Sequence, residues 1–233
     1  QVRIVVGIGV GSGYDTTARV IARHIGKHIP GKPDIIVQNQ PGAGSATMSN
    51  TLYASGARDG TVIGAPFNGM PTIPLLQPEA SRFDPTKLIW VGSANRPTQA
   101  TYVWHTAPIK SLADIMTTEF VVGSQAPGSS QNDYPVVANK LFGTKFKVIN
   151  GYGSTSKIHL AMETGEVMGS ASTSWSTVKV LTGPWIAEKK IKVVAQWGLS
   201  KHKDLQDVPL WTELAKTDIQ KQAMKLLLAR LEF

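Results

Sequence analysis

The chain has 233 residues, 42% of them hydrophobic and 17% charged, with a formal charge of +8 and no cysteine. That length can bury a core in one large or two small domains, and the composition is that of a globular chain rather than a disordered one. The missing thiols exclude thiolate catalysis, disulfides and cysteine-based zinc sites, and no apolar run is long enough to span a bilayer. The lysines and arginines are scattered. Even the densest runs, Lys189-Lys190-Ile191-Lys192 and Lys201-His202-Lys203, lack interleaved aromatics, so a solvated basic surface fits them better than a nucleic-acid interface. A mild positive field would also steer small anions.

The chain opens directly on a strand, R-I-V-V-G at residues 3–7, without a signal-peptide pattern. Glycines at 7, 9, 11 and 13 follow. Helix signals then begin at Asp15, with Ala18, Ile21, Ala22, Ile25 and Ile29 on one face. Asp15 reads as the N-cap of that helix. Residues 35–47, I-I-V-Q-N-Q-P-G-A-G-S-A-T, repeat the arrangement: an apolar run, a polar end, a Pro/Gly break, and a helix over roughly 45–55. Where such a loop feeds a helix, its N–H groups and the positive end of the helix dipole form an anion site that needs no charged side chain. Two parallel strands that both end in such loops make a ligand crevice.

Residues 58–61 (R-D-G-T) are turn chemistry leading to a strand at 62–65, and 70–81 is Pro-rich and irregular with one short helix. Strands are expected at 88–92 and 99–105, separated by a turn at 95–98. Ser111 is the expected cap of a following helix, with Asp114 at its third position. A second series then follows: a strand at 120–124, the loop Gln125-Ala126-Pro127-Gly128-Ser129-Ser130 and a helix at 133–142; then a strand at 146–150, the loop Gly151-Tyr152-Gly153-Ser154 and a helix at 156–164. A strand at 167–171 leads through Ser172-Thr173-Ser174-Trp175 to a short helix, and a strand at 191–197 completes the set. These are architectural rather than sequence repeats. They predict an α/β protein of two lobes with a cleft closed by hinge motion. Lobe 1 would be residues 1–103 plus a helical tail at 209–233, lobe 2 residues 104–208, with crossings near 102–108 and 198–209.

Catalytic and cofactor patterns fail. In Gly7-Ile8-Gly9-Val10-Gly11-Ser12 the last position breaks the dinucleotide fingerprint, no acid follows the second strand, and neither a phosphate-binding loop nor a nucleophile elbow is present. Ser154-Thr155-Ser156-Lys157 matches the short S-x-x-K acylation pattern, which makes a serine acyl-transfer or hydrolase enzyme using Ser154 and Lys157 the alternative reading. Without its companion motifs, Ser154 reads better as a helix start. His24 and His28 have metal-ligand spacing but no third partner, so they read as surface histidines. Trp175 and Tyr152 fit a core position or a pocket wall equally. Hydroxyls and backbone donors abound while titratable groups are few, which is recognition without catalysis, cofactor or metal.

The runs G-S-G-Y-D-T-T-A-R-V-I-A-R-H-I, V-Q-N-Q-P-G-A-G-S-A and R-D-G-T-V-I-G, followed by F-D-P-T-K, G-Y-G-S, A-M-E-T-G-E-V and D-V-P, span nearly the whole chain. Together they resemble the Bug-type extracytoplasmic solute receptors of tripartite tricarboxylate transporters. The resemblance implies a two-lobed, type II-like periplasmic binding protein of the hinged Venus-flytrap kind. Such a protein would be a monomer that captures a small carboxylate (a di- or tricarboxylate, or an aromatic one) and passes it to membrane permease subunits. It implies a periplasmic location with a removed leader, and loop amides, hydroxyls and waters as the ligand's partners. By motif, the ligand-facing residues would be Gly11, Ser12, Gly13, Tyr14 and Asp15 in the first loop and Asn39, Pro41, Gly42, Ala43 and Gly44 in the second. From the other lobe they would be Ser124, Gly128, Ser129, Ser130, Gly153 and Ser154, with Ser174 and Trp175 beside them. Met168 stands where the family often has an acid, and Ser45 where a third glycine is common. Receptors of that kind usually continue past the position of Phe233 with further helices.

Overall fold

The structure is a computed structural model that describes residues 1–76, 78–94 and 96–231. The chain divides into two compact units: Gln1–Ala94 with Ala126–Ser129, and Asn95–Gln125 with Ser130–Phe233.

Unit 1 contains β1 (Val2–Val6), α1 (Gly13–Ile25), β2 (Ile35–Asn39), α2 (Ala46–Ser55), β3 (Val62–Ala65) and α3 (Ile73–Leu76). Its sheet has the order β2-β1-β3, and all pairings are parallel. Alternation along β1 sends Ile4 and Val6 to one face, where they bury against Ala18, Ile21 and Ala22 of the apolar stripe of α1. Met70, Ile73 and Phe83 form a smaller cluster with Tyr53 and Leu88. The expected strand at 88–92 does not form. Ile89, Trp90 and Val91 are 93%, 53% and 79% exposed, and the Trp90 indole N–H donates to the Pro85 carbonyl at 2.9 Å. A β-prone run becomes a strand only where a neighbouring edge pairs with it, and the three-strand ladder does not extend to this segment.

Unit 2 contains β4 (Gln99–Trp104), α4 (Asp114–Thr117), β5 (Phe120–Gly123), α5 (Ser130–Phe142), β6 (Phe146–Ile149), α6 (Thr155–Glu163), β7 (Gly169–Ser174), α7 (Trp175–Ala187), β8 (Ile191–Trp197) and α8 (Asp218–Ala229). The sheet order is β6-β5-β7-β4-β8, with β5 parallel to β6 and β7, and β4 antiparallel to β7 and β8. β7 lies two to three residues later than the sequence pattern places it. Ser172, Thr173 and Ser174 read as a loop, yet they complete a central strand whose ladder satisfies its backbone groups. At α4 the expected roles are reversed: the helix starts at Asp114, whose carboxylate accepts the Lys110 and Ser111 amides at 2.8 and 2.9 Å and the Ser111 hydroxyl at 3.1 Å.

The tail belongs to unit 2, against the expected return of residues 209–233 to the first lobe; Glu232 and Phe233 lie outside the described residues. Trp211 stacks on Trp197 with centroids 4.5 Å apart, and both indole N–H groups donate to the Thr101 hydroxyl, at 2.9 and 3.1 Å. Met224, Leu227 and Leu228 of α8 join Phe120, Val122 and Tyr134 in one core. Arg230, buried over the Tyr134 ring, pairs with Asp133 at 2.9 Å. β4, which the sequence pattern assigns to the first lobe, has ladder partners only in unit 2, so the chain leaves unit 1 near residue 94 rather than 103.

The second core of unit 2 carries a polar pair. The Tyr102 hydroxyl lies 2.8 Å from His159 Nε2, and the His159 ring meets Trp185 edge-on at 5.3 Å. Burial drives the His159 pKa down to about 4 from 6.5, so the ring is neutral in the folded protein. Between those two values the unfolded chain binds a proton that the folded chain refuses. Stability therefore falls as pH drops from 6.5 toward 4, by about 3 kcal/mol if the whole gap is realised. Five of the six tryptophans, all but Trp90, lie in unit 2, so urea melts followed by indole fluorescence report this unit. His159→Gln, which keeps an acceptor for Tyr102, should flatten the pH 4–6.5 slope; an unchanged slope would assign it to another group.

Candidate functional site

Because β1, β2 and β3 are parallel, their C-terminal ends open at one edge of the unit 1 sheet. The loop after β1 enters α1 through Ser12, which is the N-cap: its hydroxyl accepts the Asp15 amide at 3.1 Å. The expected cap, Asp15, is instead the third helical residue, because the helix begins two residues earlier, at Gly13. From there its carboxylate reaches back to accept the Gly11 amide at 3.1 Å. Asp15 is only 2% exposed. Arg19 meets it through Nε at 3.1 Å and Nη2 at 3.0 Å, and Asn39 Nδ2 donates to it at 2.9 Å. Asn39 also donates to the Ile8 carbonyl at 2.9 Å and accepts from Arg19 Nη2 at 3.0 Å. Burial pushes the Asp15 carboxyl up, but the hydrogen bonds from Arg19, Asn39 and Gly11 and the guanidinium charge outweigh it and hold the pKa below the usual carboxylate value. Both charges are thus used inside the scaffold, and the Asn39 side chain locks the β2 end onto the β1 loop.

The loop after β2 is held by Ser45. Its buried hydroxyl donates to the Gly7 carbonyl at 3.0 Å and accepts the Phe67 amide at 3.1 Å, joining the ends of β1 and β3 through the entry of α2. A Cβ at Gly7 would lie 2.6 Å from Ser45 Cβ, so the stitch requires glycine there. Ala43, Gly44 and Ser45 are successive left-handed residues, with φ of 44°, 59° and 73°. Two non-glycine residues in that region are costly unless the surroundings impose them, and such turns gather at binding sites. The Ala46 and Thr47 amides that follow donate to the Ala43 and Gly42 carbonyls, the second at 3.4 Å. By its contacts the segment Ala126–Ser129 also belongs to unit 1. A Cβ on Gly44 would come within 2.1 Å of the Pro127 carbonyl oxygen, and one on Gly128 within 3.0 Å of Ile73 Cδ1. Gly128 and Ser129 therefore group with the first unit, not with the second as the motif order implies.

In unit 2 the parallel β5, β6 and β7 again bring their C-terminal ends to one edge. Ser124 is fully buried: its amide donates to the Ile149 carbonyl at 2.8 Å and its carbonyl accepts the Tyr152 amide at 3.2 Å, tying the first two loops together. Ser154 caps α6 by accepting the Lys157 amide at 3.3 Å, as the helix-start reading expects. Ser130 is the first residue of the long helix α5. Ser174 ends β7 and contacts the Ser176 hydroxyl at 2.9 Å. Trp175 is a core residue, 7% exposed, with its indole N–H on Asp204 at 3.1 Å; that carboxylate is also held by Lys179 at 2.7 Å. Each unit thus gathers helix-starting loops at one sheet edge. Gly11, Ser12, Gly13, Tyr14, Asp15, Asn39, Pro41, Gly42, Ala43 and Gly44 fall at the first edge, and Ser124, Ser130, Gly153, Ser154 and Ser174 at the second.

Sequence reasoning passed over three residues. Arg19 was signalled by its i,i+4 spacing from Asp15. Ser45 gave no signal beyond its place after P-G-A-G. Gln131, 5% exposed, donates through Nε2 to the Thr173 hydroxyl at 3.2 Å while its Oε1 is buried with no hydrogen-bond partner among the described residues. An unpaired buried acceptor costs about 1–3 kcal/mol.

Ser45→Ala removes the donor to Gly7, strips Phe67 of its acceptor and keeps a Cβ at a left-handed position. We expect a loss of about 1–3 kcal/mol in unit 1. Hydrogen exchange of the β1 and β3 amides checks it: faster exchange there is the expected outcome, and unchanged exchange would show that the hydroxyl does not hold these ends.

No protein-family model matches the chain, and no curated protein matches its sequence. Solved structures do. A Rhodopseudomonas palustris protein with adipate matches over 98% of this chain and 82% of its own, with a TM-score of 0.74 and 17% identity. MatC from Rhodopseudomonas palustris, with bound malate, matches over 99% and 84%, with a TM-score of 0.73 and 18% identity. A TctC solute binding protein from Polaromonas, without ligand, matches over 99% and 83%, with a TM-score of 0.61 and 20% identity. The chain therefore shares the α/β fold of these solved structures.

Proposed function

We propose that the protein is a non-catalytic periplasmic receptor that captures a small carboxylate and hands it to the permease of a tripartite tricarboxylate-type transporter. The observation that carries this reading is that each unit, taken by itself, gathers helix-starting loops at one edge of its sheet. At the first edge the buried Asp15 carboxylate and Arg19 are already paired with each other. Each unit by itself offers a carboxylate the same kind of group: amides of Gly13 and Tyr14 at the start of α1 and of Ala43 and Gly44 in the left-handed turn in unit 1, and amides of Ser130 and Thr155 at the starts of α5 and α6 in unit 2. Amides at helix starts favour negative charge without placing a cation in the site. Ser12, Asp15 and Asn39 act by fixing the first loop, and Ser124 and Ser154 by fixing the loops of unit 2. The malate and adipate in the structurally similar proteins belong to the same chemical class. Action as a monomer in the periplasm is part of the same proposal.

A thermal-shift screen with aliphatic dicarboxylates, tricarboxylates and aromatic carboxylates at fixed pH and salt tests it. A ligand at about a hundred times its dissociation constant adds about 2.7 kcal/mol to the folded state, an easily resolved shift. We expect at least one carboxylate to raise the melting temperature and to be recovered unchanged. A flat response across the panel, or turnover of the bound acid, would overturn the receptor reading.

A further inference from the structure

We propose that Gln131 reads a hydrogen-bond donor on the ligand, so that a hydroxylated carboxylate is preferred over its deoxy counterpart. This rests on the receptor reading and deepens it.

Gln131 is the second residue of the thirteen-residue helix α5, which starts from the loop after β5. Thr173 lies near the C-terminal end of β7, which runs parallel to β5, so the two residues meet at the edge where the unit 2 loops converge. A helical Cα–Cβ bond leans toward the helix N-terminus, which sends this side chain toward the first amides of α5. The amide is held in place. Nε2 donates to Thr173 Oγ1 at 3.2 Å, and Thr173 in turn lies 2.9 Å from Ser170 Oγ. That contact exists because a bulge in the β4–β7 pairing sets two β7 residues against Thr101, bringing the hydroxyls of residues 170 and 173 to one side.

With one Nε2 N–H given to Thr173, Oε1 remains without a hydrogen-bond partner among the described residues, in a residue that is 5% exposed. It can only accept. An ionised carboxylate oxygen also only accepts, so this atom cannot bind the ligand's charge; it suits a hydroxyl or N–H carried beside the carboxylate. A buried acceptor built for such a donor discriminates strongly against the analogue that lacks it, because it is then left unpaired.

The test is calorimetric titration of the whole chain with two matched pairs, malate with succinate and mandelate with phenylacetate, on the wild type and on Gln131→Leu and Gln131→Met. The wild type should bind the hydroxylated member of at least one pair about tenfold more tightly or better. In the variants the preference should collapse, with the hydroxylated acid weakened to the level of its deoxy partner and the deoxy acid retained. Equal wild-type affinities within each pair, or a preference that survives in both variants, overturn this inference while leaving the receptor reading intact. Loss of both members of a pair in variants that melt like the wild type makes Gln131 a structural residue and overturns it too. A wild type that binds no carboxylate overturns the receptor reading and this inference with it.

Discussion

The first unit depends on one hydroxyl. Ser45 sits in a left-handed conformation and joins the carbonyl of Gly7 to the amide of Phe67, so the ends of β1 and β3 are tied to the entry of α2. The stitch explains why Gly7 bears no side chain and why the turn at residues 43–45 keeps a strained backbone. Such a turn cannot rely on local preference; it persists because two strand ends hold it from either side. Loop amides that bind an ion must be fixed before the ion arrives, since ordering them on binding would consume the affinity they provide.

The same logic explains the treatment of charge. An acid, an arginine and an asparagine meet beside the first loop, an arrangement that elsewhere could bind a ligand or start a reaction. Here Asp15 spends its carboxylate on the Gly11 amide, on Arg19 and on Asn39, and Asn39 fastens the β2 end to Ile8. The charges neutralise each other within the scaffold. Unit 2 reaches the same end with hydroxyls: Ser154 caps α6, and the buried Thr173–Ser170 pair steadies the Gln131 amide.

Much of this was legible in the sequence because the signals are local. Gly-rich breaks after β-prone runs marked both helix-starting loops, and the apolar stripe of α1 was read correctly at Ala18, Ile21 and Ala22. What failed depends on partners distant in the chain. The I-W-V run at 89–91 has the composition of a strand but no ladder to join, while Ser172, Thr173 and Ser174 look like a loop and become the end of a central strand. The tail was assigned to the wrong unit because nothing local reveals that Trp211 stacks on Trp197 and shares the Thr101 hydroxyl with it. Helix starts show the same dependence: the cap at Ser154 was found where expected and that of α1 lies three residues before Asp15, whereas Ser45 and Gln131 owe their contacts to strands far away in sequence.

The central claim is that backbone amides at helix starts, rather than charged side chains, hold the ligand. Amide chemical-shift mapping of the labelled protein, titrated with a carboxylate that binds, tests it most directly. The account predicts that the largest changes fall on the amides of residues 12–14, 42–45, 130–131 and 154–156, with small changes elsewhere. Changes centred on exposed lysines and arginines, with these four stretches unmoved, would contradict it.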